Sequence, residues 1–74
     1  MKKLKQVVSY FMDNLVNYYP SNEIEGLAYW TIESYFNLSR SSFKLEMDRN
    51  LSNDEILFMQ DIVGRLKNKE PIQY

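Results

Sequence analysis

The residues able to do chemistry are few, and their kinds narrow the options. The chain has no histidine and no cysteine, so it lacks the commonest metal ligand, the usual neutral-pH general base and any thiolate nucleophile. No disulfide can staple it. Gly26 and Gly64 are its two glycines, and no glycine-rich phosphate loop can be made from them. What remains is carboxylates in pairs and cations in clusters. Glu23 with Glu25, and Asp54 with Glu55, have the types needed for paired acid–base work or a divalent cation. Both pairs fall where a helix should begin, and there a carboxylate closes a cap or meets the positive end of the helix dipole. No catalytic, cofactor-binding or metal-ligating residue is therefore expected.

The cations read first as solvated surface. Arg40, Lys44 and Arg49 lie close together in sequence and could meet an anionic partner; as a solvated surface they would serve solubility. Lys2, Lys3 and Lys5, and Arg65, Lys67 and Lys69, form two further clusters that read as solvated helix faces. Nine basic and ten acidic residues give a net charge of -1 and a pI near 5.3. A nucleic-acid binder usually carries a basic stripe, so direct nucleic-acid binding is not expected. Tyr29 and Trp30 are either core-edge aromatics or interface anchors. With Arg40 and Arg49 they are the candidate partner surface.

These side chains must be positioned by helices. Leu4, Val7, Val8, Phe11, Met12 and Leu15 recur at steps of three and four, one amphipathic stripe over about four turns. Tyr18-Tyr19-Pro20-Ser21-Asn22 breaks it, since proline disfavours helix at the residue before it. Ser21 or Asn22 can cap a second helix, with Asn22 and Glu25 at capping-box spacing. Its stripe is Ile24, Leu27, Ala28, Thr31, Ile32 and Tyr35, with Gly26 suited to close approach by a neighbour. Asn37-Leu38-Ser39 ends it, and Ser39 can cap a short helix from Arg40 to Leu45. Its apolar positions are Phe43, Leu45 and Met47. Glu46 to Asn50 reads as a polar loop.

Ser52-Asn53-Asp54-Glu55 is a full capping box, with Leu51 and Ile56 placed for a hydrophobic staple. The stripe that follows is Ile56, Met59, Ile62, Val63 and Leu66. Leu57 and Phe58 lie off it, so this helix can bury a second side. Pro71 should stop it. The expected fold is all-α: a small bundle of three long helices and one short one. No apolar run approaches the ~20 residues that span a bilayer. The basic start is not followed by the apolar core and cleavage site of a signal peptide. A cytoplasmic protein without membrane contact is expected.

The ending carries a more specific pattern. Arg65, then Glu70-Pro71-Ile72-Gln73-Tyr74, follows in order after an opening amphipathic helix, an acidic and aliphatic helix over Glu23 to Phe36, the Leu38-Ser39-Arg40 turn and the acidic start after Leu51-Ser52. This layout resembles the N-terminal helical domain of the PrmC/HemK family, protein-glutamine methyltransferases that act on peptide-chain release factors. The chain has Asn68-Lys69 where the family often has glycine before Glu-Pro. The resemblance implies a helical recognition domain over residues 1–70. Glu70, Pro71, Ile72, Gln73 and Tyr74 would begin a linker to a methyltransferase domain, and the apolar tail reads as the start of more chain. It implies S-adenosylmethionine as cofactor of the whole protein, held by a glycine-rich loop, and an Asn-Pro-Pro-Tyr motif for the substrate glutamine. Neither motif occurs in these residues, so no catalytic position carries over. Expected partners are the release factor and the chain's own catalytic domain, with the chain itself monomeric.

Two other functions compete. Tyr29, Trp30, Leu57 and Phe58, if exposed together, would make an apolar patch for a free-standing interaction or oligomerisation module. The scattered Lys and Arg would support a nucleic-acid-binding helical domain.

Overall fold

Among the described residues four helices form: α1 Gln6–Leu15, α2 Ser21–Phe36, α3 Arg40–Leu45 and α4 Asn53–Lys67. They come from a computed structural model that describes residues 1–69. The all-α expectation holds, with helices of 10, 16, 6 and 15 residues. The expected linker from Glu70 to Tyr74, and Pro71 as a helix stop, lie outside the described residues.

α1 is the central rod, packed against both α2 and α4. Its Val7, Phe11 and Leu15 are fully buried, joined by Leu4 just before the helix. α2 contributes Ile24, Ala28 and Ile32, and α4 contributes Met59, Ile62, Val63 and Leu66. Burying each large apolar side chain is worth about 1.5–3 kcal/mol. The ion pairs, such as Lys5–Asp48 at 3.1 Å and Arg65–Asp61 at 2.9 Å, are largely exposed and add about 0–1 kcal/mol each. The stripe therefore decides the fold. Thr31 is the one buried polar residue among those described, and its hydroxyl donates to the Leu27 carbonyl at 2.8 Å.

α1 is shorter than its stripe. Leu4 belongs to a turn just before it, in a lead-in that pairs with the α3–α4 connection. The Leu4 amide donates to the Arg49 carbonyl at 2.9 Å, Lys5 to Met47 at 3.0 Å and Leu51 to Lys2 at 2.8 Å. An antiparallel bridge joins Lys3 and Asn50 within this pairing. The Gln6 side-chain oxygen accepts from the Lys2 and Lys3 amides at 2.7 and 2.9 Å, satisfying donors that no helix turn would. The loop expected from Glu46 to Asn50 is thus half of a backbone clasp.

Three details of α2 correct the sequence reading. Its N-cap is Pro20, with ψ 150°, and neither Ser21 nor Asn22 caps it with a side chain. The Pro20 carbonyl accepts from Glu23 and Ile24, both at 3.0 Å. Proline needs no amide partner, and its fixed φ suits the entry to a helix. Gly26 faces solvent, with nothing within 4 Å of where a Cβ would stand. Close approach to a neighbour is therefore not its role; the small residue on the buried face is Ala28. Tyr35, placed on the stripe by spacing, is 37% exposed. α2 ends as expected at Asn37, whose φ of 55° is left-handed, a conformation asparagine tolerates better than most residues.

α3 and α4 start where the capping chemistry places them. The Ser39 hydroxyl accepts from the Ser42 amide at 3.2 Å. At α4, Ser52 accepts from the Glu55 amide at 3.2 Å and Glu55 accepts from the Ser52 amide at 2.7 Å, completing the box. α4 stops at Lys67, and Lys69 turns left-handed with φ 59°. Its end is tied to the α1–α2 turn, where the Tyr19 hydroxyl donates to the Leu66 carbonyl at 2.8 Å. Leu57, at 62% exposure, shows that α4 does not bury a full second side.

Candidate partner-binding surface

The structure brings Tyr29 and Arg40 together and leaves Arg49 elsewhere. The middle of α2 presents Tyr29 toward α3. Phe43, the buried anchor of α3, meets the Tyr29 ring edge-on, with centroids 5.4 Å apart and planes at 80°. This is the T-shaped arrangement that aromatic quadrupoles favour. Arg40 opens α3 and places its guanidinium over the same ring, 4.1 Å from the centroid. Such cation–π contacts are worth about 0.5–1 kcal/mol at exposed sites.

Around this stack is a shallow cleft of about 340 Å³, lined by Tyr29, Arg40, Ser41, Phe43, Lys44 and Met47. Its wall is mainly aromatic and aliphatic, with two cations, the hydroxyls of Ser41 and Tyr29, and no carboxylate. Arg40 and Lys44 are one helical turn apart and so share a face. Ser41 and Met47 were not singled out from sequence as surface residues. Only the meeting of α2 with α3 makes them neighbours of Tyr29, and no local spacing encodes that. The Arg40/Lys44 spacing was the one signal available.

Arg49 is committed to structure. It pairs with Glu46 at 3.6 Å and Glu55 at 3.2 Å, and its guanidinium lies 5.1 Å from the Phe36 ring centroid. It thereby joins the α3–α4 connection to the capping box of α4 and to the end of α2. Trp30 follows Tyr29 on α2 and is 40% exposed. The imagined patch of Tyr29, Trp30, Leu57 and Phe58 is not uniformly open: Tyr29 and Phe58 are half-buried, and Phe58 stacks on Tyr35 at 4.1 Å.

The other charged groups are mostly occupied internally. Glu55 belongs to a cap, and Lys3 reaches the Asn50 side chain at 3.1 Å. Lys67 reaches Asn14 at 3.4 Å, and Lys69 reaches the Tyr18 carbonyl at 3.1 Å. A second, open hollow on α4, lined by Gln60, Asp61, Gly64, Arg65 and Asn68, has its charges paired with each other. No buried side-chain nitrogen or oxygen among the described residues lacks a partner. No described helix is long and apolar enough to cross a membrane.

No solved structure matches the chain. A curated relative, the release factor glutamine methyltransferase of Flavobacterium psychrophilum, is 30% identical over 71 residues. Those residues are 96% of this chain and 25% of the relative, so the chain spans about a quarter of the protein it matches. The family described as the PrmC N-terminal domain matches residues 4–74, nearly the whole chain. That span contains every helix described above, and the chain belongs to the PrmC N-terminal domain family.

Proposed function

We propose that this chain is the substrate-recognition domain of a protein-glutamine methyltransferase. It holds a peptide-chain release factor while a following domain methylates the glutamine of its Gly-Gly-Gln loop. The observation that carries this is the family match over residues 4–74, together with a relative whose name states that reaction. On this reading residues 1–70 are the domain and Glu70 to Tyr74 begin the linker. The setting is cytoplasmic, and the partners are the release factor and the chain's own catalytic domain.

The described residues contribute binding and orientation. A rigid surface remote from the reacting atoms adds affinity that fixes the substrate relative to the catalytic domain, and that lowers the entropic part of the barrier. The geometry does not suit S-adenosylmethionine here. The Tyr29–Phe43 cleft offers two cations and no carboxylate, a poor match for a sulfonium cation. The cofactor belongs in the proposed following domain, where it would supply the methyl group.

The test begins with the reading frame beyond Tyr74. It should encode a glycine-rich loop and an Asn-Pro-Pro-Tyr motif; a frame with neither overturns the reading. Calorimetry with this chain should then give saturable heat on adding a purified release factor and none on adding S-adenosylmethionine.

A further inference from the structure

The cleft between α2 and α3 is assembled from side chains whose charges the rest of the molecule does not use. Arg49, Arg65 and Lys5 pair with carboxylates, and Lys3, Lys67 and Lys69 with side-chain or backbone oxygens; Lys2, in the lead-in to α1, is the one other cation whose side chain has no partner among the described residues. Arg40 has only the Tyr29 ring, and Lys44 has no acidic partner among the described residues. Two cations therefore share one helical face without compensation, in a chain whose net charge is -1. Like charges one turn apart repel, so the fold gains nothing from this pairing.

The stack also orients Arg40. The guanidinium carbon is held 4.1 Å from the ring centroid, and no hydrogen bond or ion pair among the described residues takes its N–H donors. Those donors match a carboxylate in two-point geometry. Beside it, Phe43 and Met47 offer apolar wall, Met47 at 39% exposure. Leu45, at 88% exposure, extends α3's apolar character outside the cleft.

We infer that this cleft is where the chain grips its protein partner. It takes a segment that places an Asp or Glu carboxylate on Arg40 and Lys44 and an adjacent aliphatic or aromatic side chain against Tyr29, Phe43 and Met47. The inference rests on the release-factor reading and names the part of the surface that does the holding. Charge complementarity selects an acidic segment. A nucleic acid would want a continuous basic track, and the next cation along the chain, Arg49, lies outside the cleft and is already paired with Glu46 and Glu55.

The experiment is titration of the chain with a purified release factor at low and moderate salt, comparing wild type with R40Q, K44Q, R40K and the double reversal R40E/K44E. Circular dichroism and Tm of each variant serve as the folding control; the substituted residues are exposed, so the helical signal should hold, with a small drop in Tm where Arg40 leaves the Tyr29 ring. R40Q should raise Kd about tenfold and K44Q about threefold. R40K should fall between wild type and R40Q, because lysine keeps the charge and loses the planar fork. The double reversal should abolish binding. Added salt should weaken the wild type more than R40Q. Wild-type binding with Kd unchanged in folded R40Q and R40E/K44E would overturn the cleft and leave the release-factor reading standing. No wild-type binding would overturn both. Binding of single-stranded RNA that R40E/K44E abolishes, with the release-factor Kd unmoved, would reassign the cleft to nucleic acid.

Discussion

α3 and α4 begin with the same device and are held very differently. Each has a serine N-cap accepting an amide three residues on, at 3.2 Å in both. α4 adds the reciprocal Glu55 arm, acidic residues in its first turn, basic ones in its last and four buried side chains. α3 has six residues and one buried anchor, Phe43. A helix that short is not stable alone; it exists because Phe43 docks on Tyr29 and the following segment is clasped by residues 2–5. α4 builds the core. α3 rests on it, with its other side chains left to face outward.

The sharpest way to break that contrast is in the core. Met59→Ala should cost about 3–4 kcal/mol, a large share of the roughly 4–11 kcal/mol expected for a domain this size. Because Met59 is fully buried, amide exchange should quicken throughout the molecule. Phe43→Ala should cost about 3 kcal/mol, and its exchange should quicken first in α3 and the Tyr29 turn of α2. A uniform response to both would show that α3 and the core open as one unit. Ser52→Ala should lower stability by about 1 kcal/mol, read from denaturant midpoints. Ser39→Ala should cost less, since α3 is only six residues long and is anchored chiefly by Phe43.

Gly64→Ala should act in the opposite direction. Gly64 is helical, exposed and has open space where a Cβ would stand, so alanine should stabilise by about 0.5–1 kcal/mol. A loss of stability would mean that the outer face of α4 is less open than its geometry. The smallest effect belongs to Leu45→Ser. With 88% of its surface already exposed, Tm should hardly move, within about 0.5 kcal/mol.

Short-range chemistry was legible. The Ser52/Glu55 box, the Ser39 cap and Asn37 at the end of α2 all involve groups within four residues. Their geometry follows from helix periodicity alone. The capping box proposed for Asn22 and Glu25 was equally local, yet it did not form. Pro20 took the N-cap, and the burial of Ile24, Ala28 and Ile32 set the helix phase around it. Gly26 was misread because spacing cannot tell a solvent face from a packed one when the stripe beside it is wide. Leu4 was correctly placed in the core and wrongly in the helix: burial follows from hydrophobicity, whereas the backbone partner of residues 2–5 lies more than forty positions away.

The candidate surface divides in the same way. Tyr29, Trp30, Arg40 and Arg49 were singled out by residue type. Type could not show that Arg40 would stack on Tyr29 while Arg49 would be consumed by Glu46 and Glu55.

By itself the sequence determined the helical class, the caps of α3 and α4, the apolar stripes and the family layout, because these depend on residue type and near-neighbour spacing. The tertiary structure alone decided the clasp at residues 2–5, the exposure of Gly26 and the meeting of Tyr29, Arg40, Phe43 and Lys44. Those depend on contacts between distant segments, which are fixed only once the core has chosen how its rods pack.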